Sequence, residues 1–411
     1  MTDTAGAPYP IRSVSPDEWD VVFANDQLAF AEVFPPEIVE RERGLLPWSR
    51  TLGAYDGDEL VGFTAAYEQG MRVPGGMLPS TGGVTWVTVR PTHRRRGILS
   101  SLLRRQLADL HELGEPVATL WASEPAIYGR FGFGLASMRY GVKVPRRTQL
   151  IDAPADPSLR LRIVDPKKAI DALETVAAAA PARPGMLARD ERWWNRSTDD
   201  PPAARGGGKL YCVLAESAGQ PRGYALYAPR SKWEGSGPAG TVNLREVLAA
   251  DQAAYAELWR FLLDIDLMAD VDYWNLPIDD PLLWWLADPR RAEPTLGDAM
   301  YLRPIDVAGA LSARRYTTDV DVVLSVADDT CPWNAGRWRL TGGPATASCT
   351  KTTDAPDLAI SARALGSAYL GGVTLQTLGA AGRVDELVPG ALGYASRAFA
   401  HEPAPWCQFI F

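Results

Sequence analysis

The sequence predicts a mixed α/β (α+β) protein: two units of like element order and a smaller third. Three observations predict it. The stretch Thr81–Gln106, TGGVTWVTVRPTHRRRGILSSLLRRQ, reads as a strand, a turn set by Pro91, a loop of arginines closed by Gly97, and a helix. The order of elements around that stretch recurs across residues 161–304. From Ala308 the composition shifts, and short strands alternate with short helices.

Along the first unit, Ile11–Val14 reads as a strand. Ser15-Pro16-Asp17-Glu18 starts a helix, with Ser as N-cap, Pro in the first turn and Glu three residues after the Ser. That helix carries Trp19, Val22 and Phe23, extends toward Phe30, and is stopped by Pro35-Pro36. Leu52–Tyr55 and Leu60–Tyr67 form a hairpin across Asp56-Gly57-Asp58. In the central stretch, Val84, Trp86 and Val87-Thr88-Val89 favour a strand. Ile98, Leu99, Leu102, Leu103 and Leu107 recur at helical spacing. Residues 116–121 give a short apolar strand, and Met138–Val144 reads as the last strand of this unit.

The second unit repeats the plan. Leu161–Ile163 is a strand and Asp165–Ala179 a helix. Tyr211–Glu216 and Gly223–Tyr227 form a hairpin across Gly219-Gln220-Pro221. Thr241–Leu248, Ala253–Leu267 and Val271–Leu276 are strand, helix and strand. Where the arginine loop would fall stands Leu248-Ala249-Ala250-Asp251-Gln252, with no arginine and no glycine. In the third unit Val320–Ala327, Trp338–Leu340 and Leu358–Ser361 read as strands, and Ala362–Tyr369 and Asp385–Phe399 as helices. The Trp193-Trp194 and Trp284-Trp285 pairs, among 14 tryptophans, fit core or interface anchors.

The arginine loop is a seat for a diphosphate. A helix N-terminus offers unpaired N–H groups and the positive end of its dipole. Arg94, Arg95 and Arg96 add charge, and Gly97 lets the backbone approach a ligand. No Gly-Lys-Ser/Thr follows, which excludes a Walker loop, and no glycine triplet marks a dinucleotide fingerprint.

At 411 residues, with 46% hydrophobic residues, the chain has material for two or three cores. A net charge of −8 argues against a nucleic-acid partner and favours cationic ones. The start, MTDTAGAPYPIRSV, has no leader pattern, and no apolar run spans a membrane, so a cytoplasmic location is expected. Cys212, Cys331, Cys349 and Cys407 are far apart and form no metal or disulfide pattern. His93 reads as a surface residue and not a base.

Val87–Leu99, V-T-V-R-P-T-H-R-R-R-G-I-L, resembles the acetyl-CoA signature of the GNAT N-acetyltransferases, Arg/Gln-x-x-Gly-x-Gly/Ala. Arg94 and Gly97 match. Leu99 stands at the last position, a departure seen in the Eis-like (enhanced intracellular survival) branch. Ile127–Phe133, I-Y-G-R-F-G-F, resembles the Tyr-x-x-Phe-Gly-Phe segment that closes GNAT domains, and Asp357–Gly372 resembles the sterol-carrier-protein-type fold that ends Eis-like chains. The apolar tail APWCQFIF ends in Phe411, like the terminal Phe of that family.

The resemblance implies tandem GNAT folds, residues 1–150 and 151–304, the second degenerate. A sterol-carrier-protein-like α+β domain, 305–411, would follow, its C-terminus returning to the active site. It implies acetyl-CoA as cosubstrate, no metal, and a homohexamer built as a dimer of trimers. It places the pantetheine arm on Val87, Thr88 and Val89. The pyrophosphate falls on Arg94, Arg95, Arg96, Gly97, Ile98, Leu99 and Ser100, with Ser123 and Glu124 where the chain splays.

Tyr128, in the matching motif, is the candidate general acid. From ordinary pKa values of about 10 and 8.5, proton transfer to a thiolate is uphill by only about 2 kcal/mol. No His or buried Glu in the first unit is placed as a base. The resemblance gives that place to the Phe411 carboxylate. Direct removal of an alkylammonium proton by a carboxylate of ordinary pKa costs on the order of 9 kcal/mol. Burial that raises the carboxylate, a more acidic amine, a water relay, or a purely orienting role each remain open.

Polycationic aminoglycosides are the acceptors the resemblance suggests. Ile410 supplies no second carboxylate at the tail, which points to weak or broad activity. Asp26, Glu32 and Glu37 could line a polyamine pocket, but each alone reads as a solvated helix residue and none is assigned to the site. Two alternatives stay open: a GNAT that acetylates protein lysine or small-metabolite amines, and a non-catalytic acetyl-CoA or lipid-binding module.

Overall fold

The computed structural model describes residues 9–201 and 208–411. Through residue 8, the stretch read as lacking a leader lies outside the described residues. The chain divides into two compact units. Residues up to Ser137, Arg183–Ala188 and Ala299–Phe411 make the first; Met138–Ala182 and Arg189–Asp298 make the second.

The first unit holds a seven-stranded sheet in the order β1-β2-β3-β4-β5-β16-β6. Its strands are β1 (Ile11–Arg12), β2 (Thr51–Asp56), β3 (Glu59–Gly70), β4 (Ser80–Val89), β5 (Val117–Trp121), β6 (Gly134–Leu135) and β16 (Met300–Pro304). Helices α1 (Trp19–Phe30), α2 (Pro36–Leu45), α3 (Ile98–Glu112) and α4 (Pro125–Tyr128) accompany it.

The Ser15–Glu18 capping box forms as its sequence demands, and the short turn it starts runs into α1. Trp19, Val22 and Phe23 of α1 pack with Tyr55, Phe63 and Ala65. Leu103, Leu107 and Leu110 of α3 pack with Val84, Ala118 and Leu120. Pro35-Pro36 does not stop α1 as read: α1 ends at Phe30, where left-handed Ala31 (φ 54°) bonds back to the Gln27 carbonyl, and the prolines instead open a second helix. Pro36 lacks only an N–H that a first-turn residue has no partner for, so α2 starts on it.

The second unit has the sheet order β15-β7-β14-β13-β10-β9-β8. The strands are β7 (Met138–Pro145), β8 (Arg160–Val164), β9 (Tyr211–Ser217), β10 (Gln220–Arg230), β13 (Gly240–Ala249), β14 (Met268–Pro277) and β15 (Thr295–Asp298). A separate ribbon, β11 (Trp233–Glu234) with β12 (Gly237–Pro238), follows β10. Helices α5 (Ile170–Ala179), α6 (Glu191–Thr198), α7 (Gln252–Asp264) and α8 (Leu282–Trp285) belong here. Val142, Val144, Val242, Leu258, Trp259 and Leu262 lie in its main core. Trp193, Trp194 and Trp285 are buried, whereas Trp284 is 86% exposed.

One expectation is corrected. The strand Met138–Val144, read as closing the first unit, lies in the second sheet, antiparallel to β14. In its place the first sheet takes β16, which pairs with β5 and β6. Alternation along a strand fixes which side chains are inward, not which distant strand it will join.

The remaining strands, β17 (Val320–Ala327), β18 (Gly336–Gly342), β19 (Ala347–Lys351), β20 (Leu358–Ser361) and β21 (Val384–Glu386), form a sheet ordered β19-β18-β17-β20-β21 within the first unit. With them come α9 (Val307–Ala313), α10 (Ala362–Ala368), α11 (Leu375–Ala380) and α12 (Ala391–Phe399). Asp385–Phe399 is therefore not one helix. Its first residues pair as β21 with β20, and the left-handed Gly390, φ 90°, precedes α12.

Candidate active site

The cleft starts with a fault in β4. Thr85 pairs with Ala65 and Thr88 with Phe63, so Trp86 and Val87 together face Thr64. Trp86 takes up the extra residue in the left-handed region, φ 55°. On its other edge β4 pairs in parallel with β5 only from Thr81 to Gly83. Leu120 and Trp121 of β5 keep only the pairing on its other edge, with Tyr301 and Met300 of β16. The two strands thus part beyond Gly83 and Thr119, and Val84–Val89 presents a strand edge without a strand partner.

A cavity of about 620 Å³ lies along this opening. Val87, Thr88, Val89, Arg94, Arg95, Gly97, Ile98, Leu99, Ser100, Ser123, Glu124 and Tyr128 all line it. The backbone is left-handed at Arg95 (φ 64°) and Gly97 (φ 85°). The first bond of α3 runs from the Ser101 N–H to the Gly97 carbonyl, 3.0 Å. No side chain caps this end. The N–H groups of Ile98, Leu99 and Ser100 are therefore left for an anion. Glycine is favoured at 97 by its left-handed backbone alone, since a Cβ there would meet nothing within 4 Å, and the space above the loop stays open.

Arg96 differs from expectation. It is not among the lining residues, and its Nη1 donates to the Tyr9 hydroxyl at 2.9 Å. His93, read as a surface residue, lines the cavity, with Nδ1 2.8 Å from Thr92 Oγ1 and Nε2 3.2 Å from Asp56 Oδ2. Ala29, Phe30, Ile127 and Arg130 also line it and were not singled out by sequence. Phe30 had a signal, as the aromatic toward which the helix from Trp19 was read to extend. Ile127 and Arg130 flank Tyr128 within its own motif.

Tyr128 is buried, edge-on to Phe133 at 6.2 Å between ring centroids. Burial first, and then the Glu124 carboxylate, push its phenol up to about 12. Against a thiol of ordinary pKa, about 8.5, this makes the proton transfer uphill by about 5 kcal/mol, more than the sequence reading allowed. Asp26 lies one turn before Ala29 and Phe30 on α1. Burial, helped by Glu32 and Glu42, lifts its carboxyl to about 7.

Phe411 is not among the cavity-lining residues. Its ring is edge-on to Tyr67 at 6.4 Å, and a Cβ on Gly83 would come within 3.0 Å of it. The tail reaches this place through Arg183–Ala188. Trp406 N–H donates to Pro184 O at 2.8 Å, and Arg183 Nη1 to Ala404 O at 3.0 Å. The same segment is joined to the end of β3 by the Met71–Leu187 bridge and by the Arg72 N–H to Met186 O bond of 2.8 Å. Trp406, Cys407, Gln408 and Phe409 are buried, whereas Ile410 is 46% exposed.

The equivalent position in the second unit is closed. Strands β13 and β14 pair in parallel with α7 between them, but Asp251 caps α7 itself. Its carboxylate accepts from the Ala253 and Ala254 N–H groups, each at 3.0 Å. An anion seat already filled by an anion repels a diphosphate. Among the described residues no His/Cys/Asp/Glu group could hold a metal, and no helix is long and apolar enough to cross a membrane.

Fold and cleft together are those of a GNAT N-acetyltransferase, and comparison with known proteins agrees. Residues 10–136 and 185–304 each match the acetyltransferase (GNAT) domain, and residues 307–408 match the sterol carrier protein domain. An uncharacterized N-acetyltransferase of Streptomyces avermitilis is 45% identical over 406 residues, covering 98% of this chain and 99% of its own. N-acetyltransferase Eis of Mycobacterium tuberculosis is 33% identical over 416 residues, covering 97% of this chain and 98% of its own. The crystal structure of Eis1 from Mycobacterium abscessus superposes with a TM-score of 0.84 at 34% identity, covering 98% of this chain and 100% of that one. The chain belongs to the Eis-like GNAT N-acetyltransferases, two GNAT domains followed by a sterol-carrier-type domain. Acetyl-CoA is the donor this membership implies. The uncapped end of α3, the lining arginines and the free edge of β4 fit its diphosphate and its amide-bearing arm.

Proposed function

We propose that the protein transfers acetyl from acetyl-CoA to amines of aminoglycoside-like polycations. Tyr128 is the proton donor, and the Phe411 carboxylate is the base or amine-orienting group. The observation that carries the reading is the placement of Tyr128 in one cavity with the arginine loop and the free strand edge. Acetyl-CoA supplies the thioester. The acceptor nitrogen bonds to its carbonyl carbon, the C–S bond breaks, and Tyr128 gives its proton to the departing sulfur. The amine proton leaves to the Phe411 carboxylate, directly or through water. Arg94, Arg95 and the N–H groups of Ile98–Ser100 hold the diphosphate, and Val87–Val89 hold the arm by strand-like bonds.

The polycation reading is supported by carboxylates at α1, Asp26 with Glu32 and Glu42 near it, on a protein of net charge −8. The uncharged, exposed Ile410 supports a broad acceptor range. Assembly as a homohexamer belongs to this proposal and is checked by light scattering on the purified chain.

The test is steady-state CoA release with acetyl-CoA and a panel of aminoglycosides, lysine peptides and simple amines. The full chain runs beside one extended by a glycine after Phe411. Aminoglycoside turnover that collapses on extension is the expected result. Turnover confined to lysine peptides or small amines replaces the acceptor class. Equal rates in both chains remove Phe411 from the chemistry. Acetyl-CoA binding without turnover on any amine overturns the enzymatic reading in favour of a binding module.

A further inference from the structure

Tyr128 ends a helix of four residues with no side-chain cap. Such a turn does not hold its own position, because helix stability needs length or packing. What fixes it lies downstream. The chain continues through the turn Gly129–Phe131 to the left-handed Gly132, φ 80°. The Phe133 N–H returns to the Tyr128 carbonyl at 3.3 Å.

Arg303 of β16 is fully buried beneath this turn. Its Nη1 donates to the Phe131 carbonyl, its Nη2 to Asp328 and its Nε to Pro304 O at 3.0 Å. Asp328 is fixed in turn. Its Oδ1 accepts from the N–H groups of Thr330 (3.1 Å) and Cys331 (2.9 Å), and its Oδ2 from Asn334 Nδ2 (3.1 Å). A Cβ on Gly132 would lie 3.0 Å from the Arg303 guanidinium, and one on Gly129 2.8 Å from that of Arg363 in α10. The glycines of the tyrosine motif thus make room for two arginines from the last third of the chain.

We infer that Arg303 is a positioning residue for Tyr128: anchored by Asp328, it sets the height of the phenol in the cleft through the Phe131 carbonyl. The inference rests on the reading of Tyr128 as proton donor. A buried charged donor gives a strong, directional bond. A shift of about 1 Å at a reacting group lowers the rate by up to about 100-fold. A lysine at 303 keeps the charge beside Asp328 but cannot span both acceptors.

The test is a double-mutant cycle of Arg303→Lys with Tyr128→Phe in the full chain, reading kcat, acceptor KM and acetyl-CoA affinity. Arg303→Lys is expected to lower kcat roughly 10- to 100-fold. Acetyl-CoA affinity should stay within about threefold, and there should be little further loss in the Tyr128→Phe background. Equal losses in both backgrounds, or an unchanged kcat, overturn the inference. If Arg303→Lys fails to fold, Asp328→Asn, which frees the guanidinium while keeping volume, carries the same cycle and the same criteria. Full activity in Tyr128→Phe alone refutes the proton-donor reading itself, and Arg303's role falls with it.

Discussion

Gln408 lies against Leu187 as a paired strand residue would: its Oε1 accepts from the Leu187 N–H at 3.0 Å and its Nε2 donates to the Leu187 carbonyl at 2.6 Å. Three residues later the chain reaches Phe411. Both partners are buried, so Gln408→Met leaves two backbone groups unmatched, at about 1–3 kcal/mol each. The expected outcome is faster amide exchange across residues 404–411 and a lower kcat with amines, at unchanged acetyl-CoA affinity. Exchange mass spectrometry and initial rates check it.

With its phenol at about 12, Tyr128 keeps its proton throughout pH 6–10. The pH–rate profile of the native chain therefore shows no basic limb from this residue in that range. Tyr128→Phe lowers kcat by about 10²–10⁴. Glu124→Gln removes the second cause of the shift, so tyrosinate absorbance from Tyr128 appears at lower pH, still above the ordinary value because burial remains. Spectrophotometric titration of the single variant and the Tyr128→Phe double variant isolates that signal.

Asp26 is raised toward 7, so the fold opposes its ionisation. An unfolded aspartate ionises near 4, and the protein loses stability as pH rises from about 4 to 7, with the loss persisting above. Asp26→Asn is accordingly more stable than the native chain at pH 8 and equally stable at pH 4, by thermal melts at both. The carboxylate appears as pH passes 7, so KM for a polycationic acceptor falls between pH 6 and 8 in the native chain and not in the variant.

The Asp251 cap predicts one acetyl-CoA per chain. Calorimetry gives a stoichiometry of one. Gly97→Val, which strains a left-handed backbone and fills the space above the arginine loop, abolishes that single site. A second equivalent bound by the native chain would contradict the assignment of Asp251.

The lining of the candidate cavity was legible in the sequence where neighbours are local. Arg94, Arg95 and Gly97 sit on one strand–turn–helix run, Tyr128 is marked by its own short motif, and these four line one cavity. Arg96 escaped because a long side chain chooses its partner in space, and Tyr9 lies 87 positions away. Arg303 was invisible as a partner of Phe131 for the same reason, with 172 residues between them. The exchange of β7 and β16 was hidden because the sequence of β7 does not say which edge it joins, and β16, buried at all five positions, carries no alternation and was not read as a strand. Val320–Ala327 and Leu358–Ser361 were read to the residue, since each is a short apolar run between clear turns.

The place of β16 has a consequence for synthesis. The first sheet needs it between β5 and β6, yet it is translated only after the second sheet's strands. At about 5–20 residues per second, a nascent chain carries an unfilled slot beside β5 for on the order of ten seconds or more. During that interval the cleft has its arginine loop but not the strand bearing Arg303. The growing chain therefore depends on being shielded at that edge, and a ribosome that stalls before residue 300 leaves an open strand for a neighbouring chain to occupy.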